Sequence, residues 1–478
     1  MTDLTSSPPA ELNSRLLDTG IDRVAVPHYE RNRLVPSVVH LGVGSFHRAH
    51  QAVYFDELAA RGDTRWGVVG VGVARPELRE VLDAQDNLFV VVQRGSEGSS
   101  ARVVGSLVEY LLLADDPAAV EARLADPRTR LVTMTVTGDG YQVDPATADG
   151  GGSVFGPLVA ALDARRRAAR PPFTVLSCDN LPDAAEAARR ATLTLARARS
   201  AELADWIETE VCFPASMVDR ITPQTSADAA DEVAEEFAVR DRWPVVTEAF
   251  AQWVIEDCFT AGRPPLDTVG ALFVPDVRPY KLIKTRLLNG SHTALGFLGH
   301  LAGHRTTAEA MADRPIARFI EHLMADEVAP ALPADVPGME LEPYQAVLLD
   351  RFASPAIADR LDRLCRRGST KMADYLLPSL HDAAAAGRPR RLLTLVVATW
   401  CRYLTGSTLT GAPIEVEDPR LEELQPLAQQ GPSALLTAAD LFGDLGRDPE
   451  FVGDVEQLAR LLGERGVAAA VEHVLDGR

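Results

Sequence analysis

A chain of 478 residues is too long for one compact core, so two domains are the first expectation. Its 46% apolar and 24% charged residues are ordinary for a globular protein, and a formal net charge of −20 disfavours nucleic acid and anionic membranes as partners. Five scattered cysteines (178, 212, 258, 365 and 401) lack CxxC spacing, which fits a reducing compartment and argues against a disulfide framework or a Cys-rich zinc site. No stretch approaches about 18 uninterrupted apolar residues and "MTDLTSSPPAELNSRLL" lacks a signal-peptide layout, so a soluble cytoplasmic protein is expected.

In chain order, the first thirty-odd residues are polar and proline-containing and read as a lead-in arm. An apolar run from Ser37 then closes on glycines in "SVVHLGVGSF", a strand ending in a tight turn. "HRAHQAVYFDELAARG" has helix-forming composition and stops at Gly62, a C-cap candidate. "WGVVGVGV" (66–73), "NLFVVVQR" (87–94), "RLVTMTVT" (130–137) and "FTVLSCDN" (173–180) are further strand candidates, with helical pieces between several of them. Continuous apolar strands alternating with helices indicate an α/β fold with a mostly parallel sheet covered on both faces. After about residue 275 the pattern becomes helical, from "RLLNGSHTALGFLGHLAG" to a final pair in "VEQLARLLGERGVAAAVEHVLDGR". The expected organisation is an α/β domain with its arm over 1–275 and a mainly α-helical domain over 276–478.

Two stretches carry chemistry. "HLGVGSFHRAH" places Gly42-x-Gly44 between a strand and a helix, where a Cβ would block a tight turn and the approach of a pyrophosphate to backbone N–H groups. The third glycine of the dinucleotide fingerprint is absent, His47 standing in its place, so a bland strand-to-helix turn fits as well. After the next strand, Glu77 could hold the ribose hydroxyls of NAD and Arg75 the 2′-phosphate of NADP; both also read as surface charges at a helix start. Gly42, Gly44, Phe46 and Glu77 are the candidate cofactor contacts. The second stretch is "KTRLLNGSH" (284–292). At about 100° per residue, Lys284, Asn289 and His292 point to roughly 0°, 140° and 80° on a helix, one side of the rod. A lysine can serve as the base of an alcohol dehydrogenase if burial or positive neighbours lower its pKa, with Asn289 donating to the alkoxide oxygen and His292 binding a hydroxyl. A solvated lysine, a turn asparagine and a core histidine would give the same string.

The companion motifs separate these readings. "KxxxxNxxH", "VCFPASMVDRITP" (211–223), "VHLGVGSFHRAHQAVYFDEL", "FTVLSCDNLP" and "WPVVTEAFAQWVIEDCF" together resemble the mannitol dehydrogenase family of polyol-specific long-chain dehydrogenases, over nearly the whole chain. The resemblance implies a Rossmann-like domain followed by a helical one, and metal-independent hydride transfer between a sugar alcohol and NAD, with NADP not excluded. Lys284 would be the general base, Asn180 and Asn289 the oxyanion pair, and His292 a substrate-orienting group. Asp219 would line the pocket, and Arg363 and Lys371 would bind substrate. Mannitol or a related polyol such as arabinitol, with fructose as mannitol's ketose, is the favoured substrate, and a monomer or weak homo-oligomer is permitted.

Two positions depart from the family pattern. Gly138 stands where "TEGGY" has glutamate, and Lys281 replaces the glutamate of "PYE" three residues before Lys284. Three other readings compete. Fructuronate reductase (mannonate oxidoreductase) shares most of these motifs, and Arg363, Lys371 or Lys281 could receive its substrate's carboxylate. A zinc enzyme could use His300-x-x-x-His304, but no third ligand follows at metal spacing. A nucleotide-binding pseudoenzyme would not need the intact Lys284, Asn289, His292, Asn180 and Asp219. Ser216 and Ser291 lack a GxSxG setting for hydrolase chemistry.

Overall fold

The computed structural model describes residues 9–19, 23–73, 75–95, 98–147, 150–223, 225–226, 228–357 and 359–476. Two compact units divide the chain, Met1–Val277 and Arg278–Arg478.

The first unit is built on a five-stranded sheet of β1 (Pro36–Leu41), β2 (Gly67–Gly72), β3 (Leu107–Leu112), β4 (Leu131–Met134) and β5 (Thr174–Ser177). Every pairing is parallel and the spatial order is β3-β2-β1-β4-β5. This is the doubly wound order, whose direction reverses between β1 and β4. The strands are apolar on both faces because both are covered. Val39, Leu41, Val69, Val71, Val132 and Val175 join a core with Phe155, Leu158 and Leu195. Their alternates Val38, Val68, Leu131 and Leu176 pack with Phe55, Trp66 and Trp253.

The strand expected at 87–94 forms as Phe89–Gly95 but lies outside the parallel sheet. It pairs antiparallel with Gly98–Val104 in a separate four-stranded sheet, flanked by Val245–Glu248 and Val24–Ala25. Its short connection permits only the antiparallel hairpin, a topology that an apolar run does not reveal. The place in the parallel sheet goes to Leu107–Leu112, whose "LVEYLL" sequence carries polar residues on a partly exposed edge strand. The N-terminal arm is woven in, with Ala10–Glu11 pairing with Val239–Arg240 and Val24–Ala25 with Ala101–Arg102.

The cysteine expectation is corrected. Cys212 and Cys258 form a disulfide with their Cα atoms 6.0 Å apart, while Cys178, Cys365 and Cys401 are free and buried. Strands Ser216–Asp219 and Gln252–Glu256 run antiparallel with Ser216 opposite Ile255, so the segment before one strand meets the segment after the other. The 46-residue sequence separation conceals that meeting.

The second unit is helical, its longer elements including Gly290–Leu301, Leu341–Ala353, Arg391–Leu404 and Pro449–Asp476, the last broken at Gly466 (φ 81°). Three π-helical turns interrupt it, at Lys284–Asn289, Leu323–Val328 and Met372–Leu376, and the first packs against the other two. Among the described residues, no helix is long and apolar enough to cross a membrane.

Candidate active site

At the end of β1 the chain turns at Gly42, whose φ of 93° favours glycine and where a Cβ would run into the Thr135 carbonyl oxygen. Gly44 then caps the helix Ser45–Ala49, and beyond its own chain neighbours nothing lies within 4 Å of the place its Cβ would occupy. This open space at the start of a helix leaves room for a pyrophosphate. Phe46 is half-buried and stacks on His50 at 5.1 Å, which steadies that helix. The residues present therefore fit a dinucleotide.

Behind the turn sit three buried histidines. His40 on β1 lies 2.8 Å from the Thr133 hydroxyl and 3.0 Å from that of Thr135, and its ring stacks on His47 at 3.5 Å. Thr135 in turn donates to the Gly42 carbonyl at 2.9 Å, so the glycine turn is tied to the end of β4. Burial is the chief cause that lowers all three imidazoles, His40 and His50 to about 3 and His47 well below its ordinary value. They are neutral groups of the scaffold.

Asn180 is exposed, three residues beyond the end of β5. Asp219 is buried as the last residue of its strand, opposite Gln252, whose carbonyl lies 3.0 Å from His50 Nε2. Arg220, the arginine of the "VDR" string, is buried and donates to the Ala49 and Glu248 carbonyls at 2.5 and 3.1 Å. It therefore caps the helix that follows the glycine turn, a role the sequence reading did not assign. Ser216 donates to the Ser177 carbonyl at 2.7 Å, which joins the tail of β5 to the Asp219 strand. Glu77 is exposed in the first turn of helix Pro76–Ala84 beyond β2, and Arg75 is exposed beside it.

In the second unit Lys284 and Asn289 are the first and last residues of one π turn. Hydrogen bonds from i to i+5 replace those from i to i+4 there, so the backbone turns through a smaller angle per residue than in an α-helix. The 140° separation expected on an α-helix is thereby narrowed. Lys284 is buried at 5% exposure, and Gly290 follows the turn. A Cβ at Gly290 would lie 3.3 Å from the Tyr375 carbonyl oxygen, contributed by the neighbouring π turn.

His292 stacks on Phe352 at 4.9 Å, and its buried Nε2 has no hydrogen-bond partner. Burial depresses its imidazole to about 4, outweighing the pull of Asp359, so the ring is neutral at pH 7. Its Nε2 is 3.9 Å from Asp359 Oδ2, too long for a hydrogen bond. Asp359 also accepts both forks of Arg363, one of them at 2.8 Å. Burial opposes ionisation of Asp359, yet the Arg363 hydrogen bonds prevail and hold the carboxyl below its ordinary value. Lys371 donates to the Leu364 and Arg363 carbonyls at 2.7 and 3.2 Å, and burial followed by the Arg363 charge lowers its amine to about 8. Asp359 thus pairs with Arg363 beside His292, and Lys371 is held on the Arg363 and Leu364 carbonyls. The sequence reading missed this carboxylate, for which the i, i+4 spacing to Arg363 was the available signal.

Of the competing metal pair, His304 lies 3.1 Å from the Asp313 carboxylate and His300 packs edge-on to Tyr403 at 5.6 Å.

A doubly wound sheet with an open glycine turn, followed by a helical unit carrying a buried lysine, defines a two-domain oxidoreductase of the dinucleotide-binding class. Two family models match consecutive parts of the chain, the mannitol dehydrogenase Rossmann domain over residues 36–268 and the mannitol dehydrogenase C-terminal domain over 276–462. The chain is 41% identical to mannitol 2-dehydrogenase of Phaeosphaeria nodorum, the match covering 96% of this chain and 85% of the relative. Mannitol 2-dehydrogenase of Aspergillus clavatus is 40% identical, with 98% of this chain and all of the relative covered. Among solved structures, a ternary complex of Pseudomonas fluorescens mannitol 2-dehydrogenase with NAD and D-mannitol is similar with a TM-score of 0.87 and 38% identity, covering 98% of this chain and 100% of the other. A substrate-free D-sorbitol dehydrogenase gives 0.90 and 33%, covering 96% and 100%. The chain belongs to the mannitol dehydrogenase family.

Proposed function

We propose that this protein is an NAD-dependent polyol dehydrogenase that interconverts D-mannitol, or a closely related sugar alcohol, with its ketose, and that Lys284 is the general base. The observation that carries the reading is the π turn. It sets a buried lysine at its first position and an amide at its last, and three residues further on a buried imidazole nitrogen has no hydrogen-bond partner. The relatives named for mannitol and sorbitol support the substrate class.

Bound NAD supplies the hydride acceptor, and the Gly42–Gly44 turn with the start of helix Ser45–Ala49 would hold its pyrophosphate. In the direction of oxidation Lys284 takes the proton from the hydroxyl at the reacting carbon. Asn289 and Asn180 donate N–H groups to the oxygen as charge develops on it. The neutral His292 uses its unpartnered Nε2 to bind a neighbouring hydroxyl. Arg363, fixed by Asp359, and Lys371, fixed on two carbonyls, receive hydroxyls further along the chain of the sugar, and Asp219 accepts from another.

A panel of mannitol, arabinitol, sorbitol, mannonate, fructose and fructuronate, each with both nicotinamide cofactors, tests the assignment. Turnover of mannitol and fructose with NAD(H) is expected to dominate. Activity confined to the uronates would replace the proposal with the hexuronate reductase reading, and activity confined to NADP(H) would assign the exposed Arg75 in place of Glu77.

A further inference from the structure

Dinucleotide-binding sheets receive their ligand outside the carboxyl ends of the strands at the point where strand order reverses. Here that point lies between β1 and β4. One lip of the crevice is the Gly42 turn. The other is Thr135–Val136–Thr137, the residues that leave β4, and its conformation is unusual. Thr137 has φ 66° and ψ 171°, a region that glycine occupies readily and a β-branched residue does not.

Such a conformation persists only if neighbours impose it, and the structure identifies the neighbour. Asp179 is buried, two residues beyond β5. Its Oδ2 accepts the Val136 N–H at 2.9 Å and its Oδ1 accepts the Thr137 N–H at 2.9 Å. The same Oδ2 accepts the Tyr141 hydroxyl at 2.6 Å, so both ends of the 137–141 loop are fastened to one carboxylate. Ser177 braces the arrangement, its hydroxyl 2.5 Å from the Tyr141 oxygen and accepting the Asp179 N–H at 3.3 Å. The next residue after Asp179 is Asn180, the proposed oxyanion donor. One carboxylate therefore sets both the lip that faces the glycine turn and the backbone from which Asn180 projects.

We infer that Asp179 is a positioning residue for the cofactor crevice: by accepting both the Val136 and Thr137 N–H groups it holds Thr137 in a glycine-like conformation and fixes the lip opposite Gly42. This rests on the reading of the protein as an NAD-dependent polyol dehydrogenase. The carboxylate touches no reacting atom and acts through the backbone it holds.

The test is a double-mutant cycle of Asp179→Asn and Thr137→Gly. Asparagine keeps the size of the side chain but replaces one acceptor oxygen by an NH2 donor, so the arrangement with one N–H group on each oxygen is lost. Glycine at 137 adopts the observed φ and ψ without a clamp. Asp179→Asn is expected to raise KM for NAD by about tenfold or more, with about threefold or less change in KM for the polyol at saturating NAD. In the Thr137→Gly background the same substitution is expected to raise KM for NAD by no more than about threefold. An equal loss in both backgrounds would overturn the inference, as would a loss that falls on kcat and both KM values alike. If Asp179→Asn does not fold, Asp179→Glu, which keeps both acceptors but moves them by one methylene, is read in the same cycle with the same outcomes. Failure of the wild-type protein to turn over any polyol with NAD would instead defeat the proposed function; an active wild type without rescue by glycine defeats this inference alone.

Discussion

Lys281 and Lys284 are three residues apart, on helix Arg278–Ile283 and at the start of the π turn that follows it. Side chains at this spacing are neighbours on a helix, with Cβ atoms about 5–6 Å apart. A positive charge at 281 disfavours the ammonium form of Lys284, so it favours the free amine that accepts a proton. Lys281→Glu reverses that influence and places there the acid that the family pattern carries. The pH profile of mannitol oxidation should then move upward, by about one unit at the scale of partly buried neighbouring charges. A superimposable profile would show that Lys281 does not tune the base. At this scale the sequence was most informative about residue type. It offered Lys284, Asn289, His292, Arg363 and Lys371 as candidates from spacing and motif resemblance, but not Asp359, whose carboxylate accepts from Arg363 beside His292. The sequence shows an Asp four residues before an Arg, and such pairs are usually surface ion pairs; only the fold buries this one beside an imidazole.

Elements explain why the candidate residues are presented as they are. The π turn at Lys284–Asn289 was not legible, because apolar periodicity cannot distinguish one inserted residue within a helix. The reason for "NGSH" is likewise tertiary: Gly290 admits the Tyr375 carbonyl from the π turn at Met372–Leu376. Gly290→Ala would press a methyl group against backbone, so one of the two π turns must shift. The expected outcome is a fall of about tenfold or more in kcat with a destabilisation of only about 1–3 kcal/mol, read by steady-state kinetics and urea unfolding. Unchanged kcat in a folded variant would mean that the close packing of the turns does not set the base. In the first unit the strand types were readable from their apolar runs, whereas the partners of Phe89–Gly95 and Leu107–Leu112 were not. Pairing depends on connection length and sheet order, and neither is written in a strand's own composition. The Cys212–Cys258 disulfide escaped for a similar reason, since an antiparallel pairing across 46 residues creates it.

For the whole molecule the buried imidazoles dictate how stability responds to acid. His40 and His50 are held near 3, His47 well below its ordinary value and His292 near 4, each mainly by burial. Folded pKa values below the unfolded value of about 6.5 mean that the unfolded chain binds more protons in this window. The stability these groups contribute is complete above about pH 6.5 and is lost as pH falls towards their folded values. Asp56, Asp241 and Asp374, raised by burial, act in the opposite sense, but with His300 also lowered by burial they are three groups against five. Urea midpoints should therefore fall steadily between pH 6.5 and 4.5, and a flat profile would contradict the neutral buried histidines. The same scale made the two-part organisation legible, since the change from alternating strands to continuous helix near residue 275 lies close to the division after Val277.

Lys284 as the base of a polyol dehydrogenase is tested by NAD-dependent oxidation of D-mannitol by the wild type and by Lys284→Ala, followed as NADH absorbance across a range of pH. Turnover by the wild type is expected, with a loss of about 10²–10⁴ in kcat for the variant, the usual contribution of a positioned base. The variant should recover in part at high pH, where hydroxide takes over the proton. A folded Lys284→Ala protein that retains wild-type kcat would rule out Lys284 as the base.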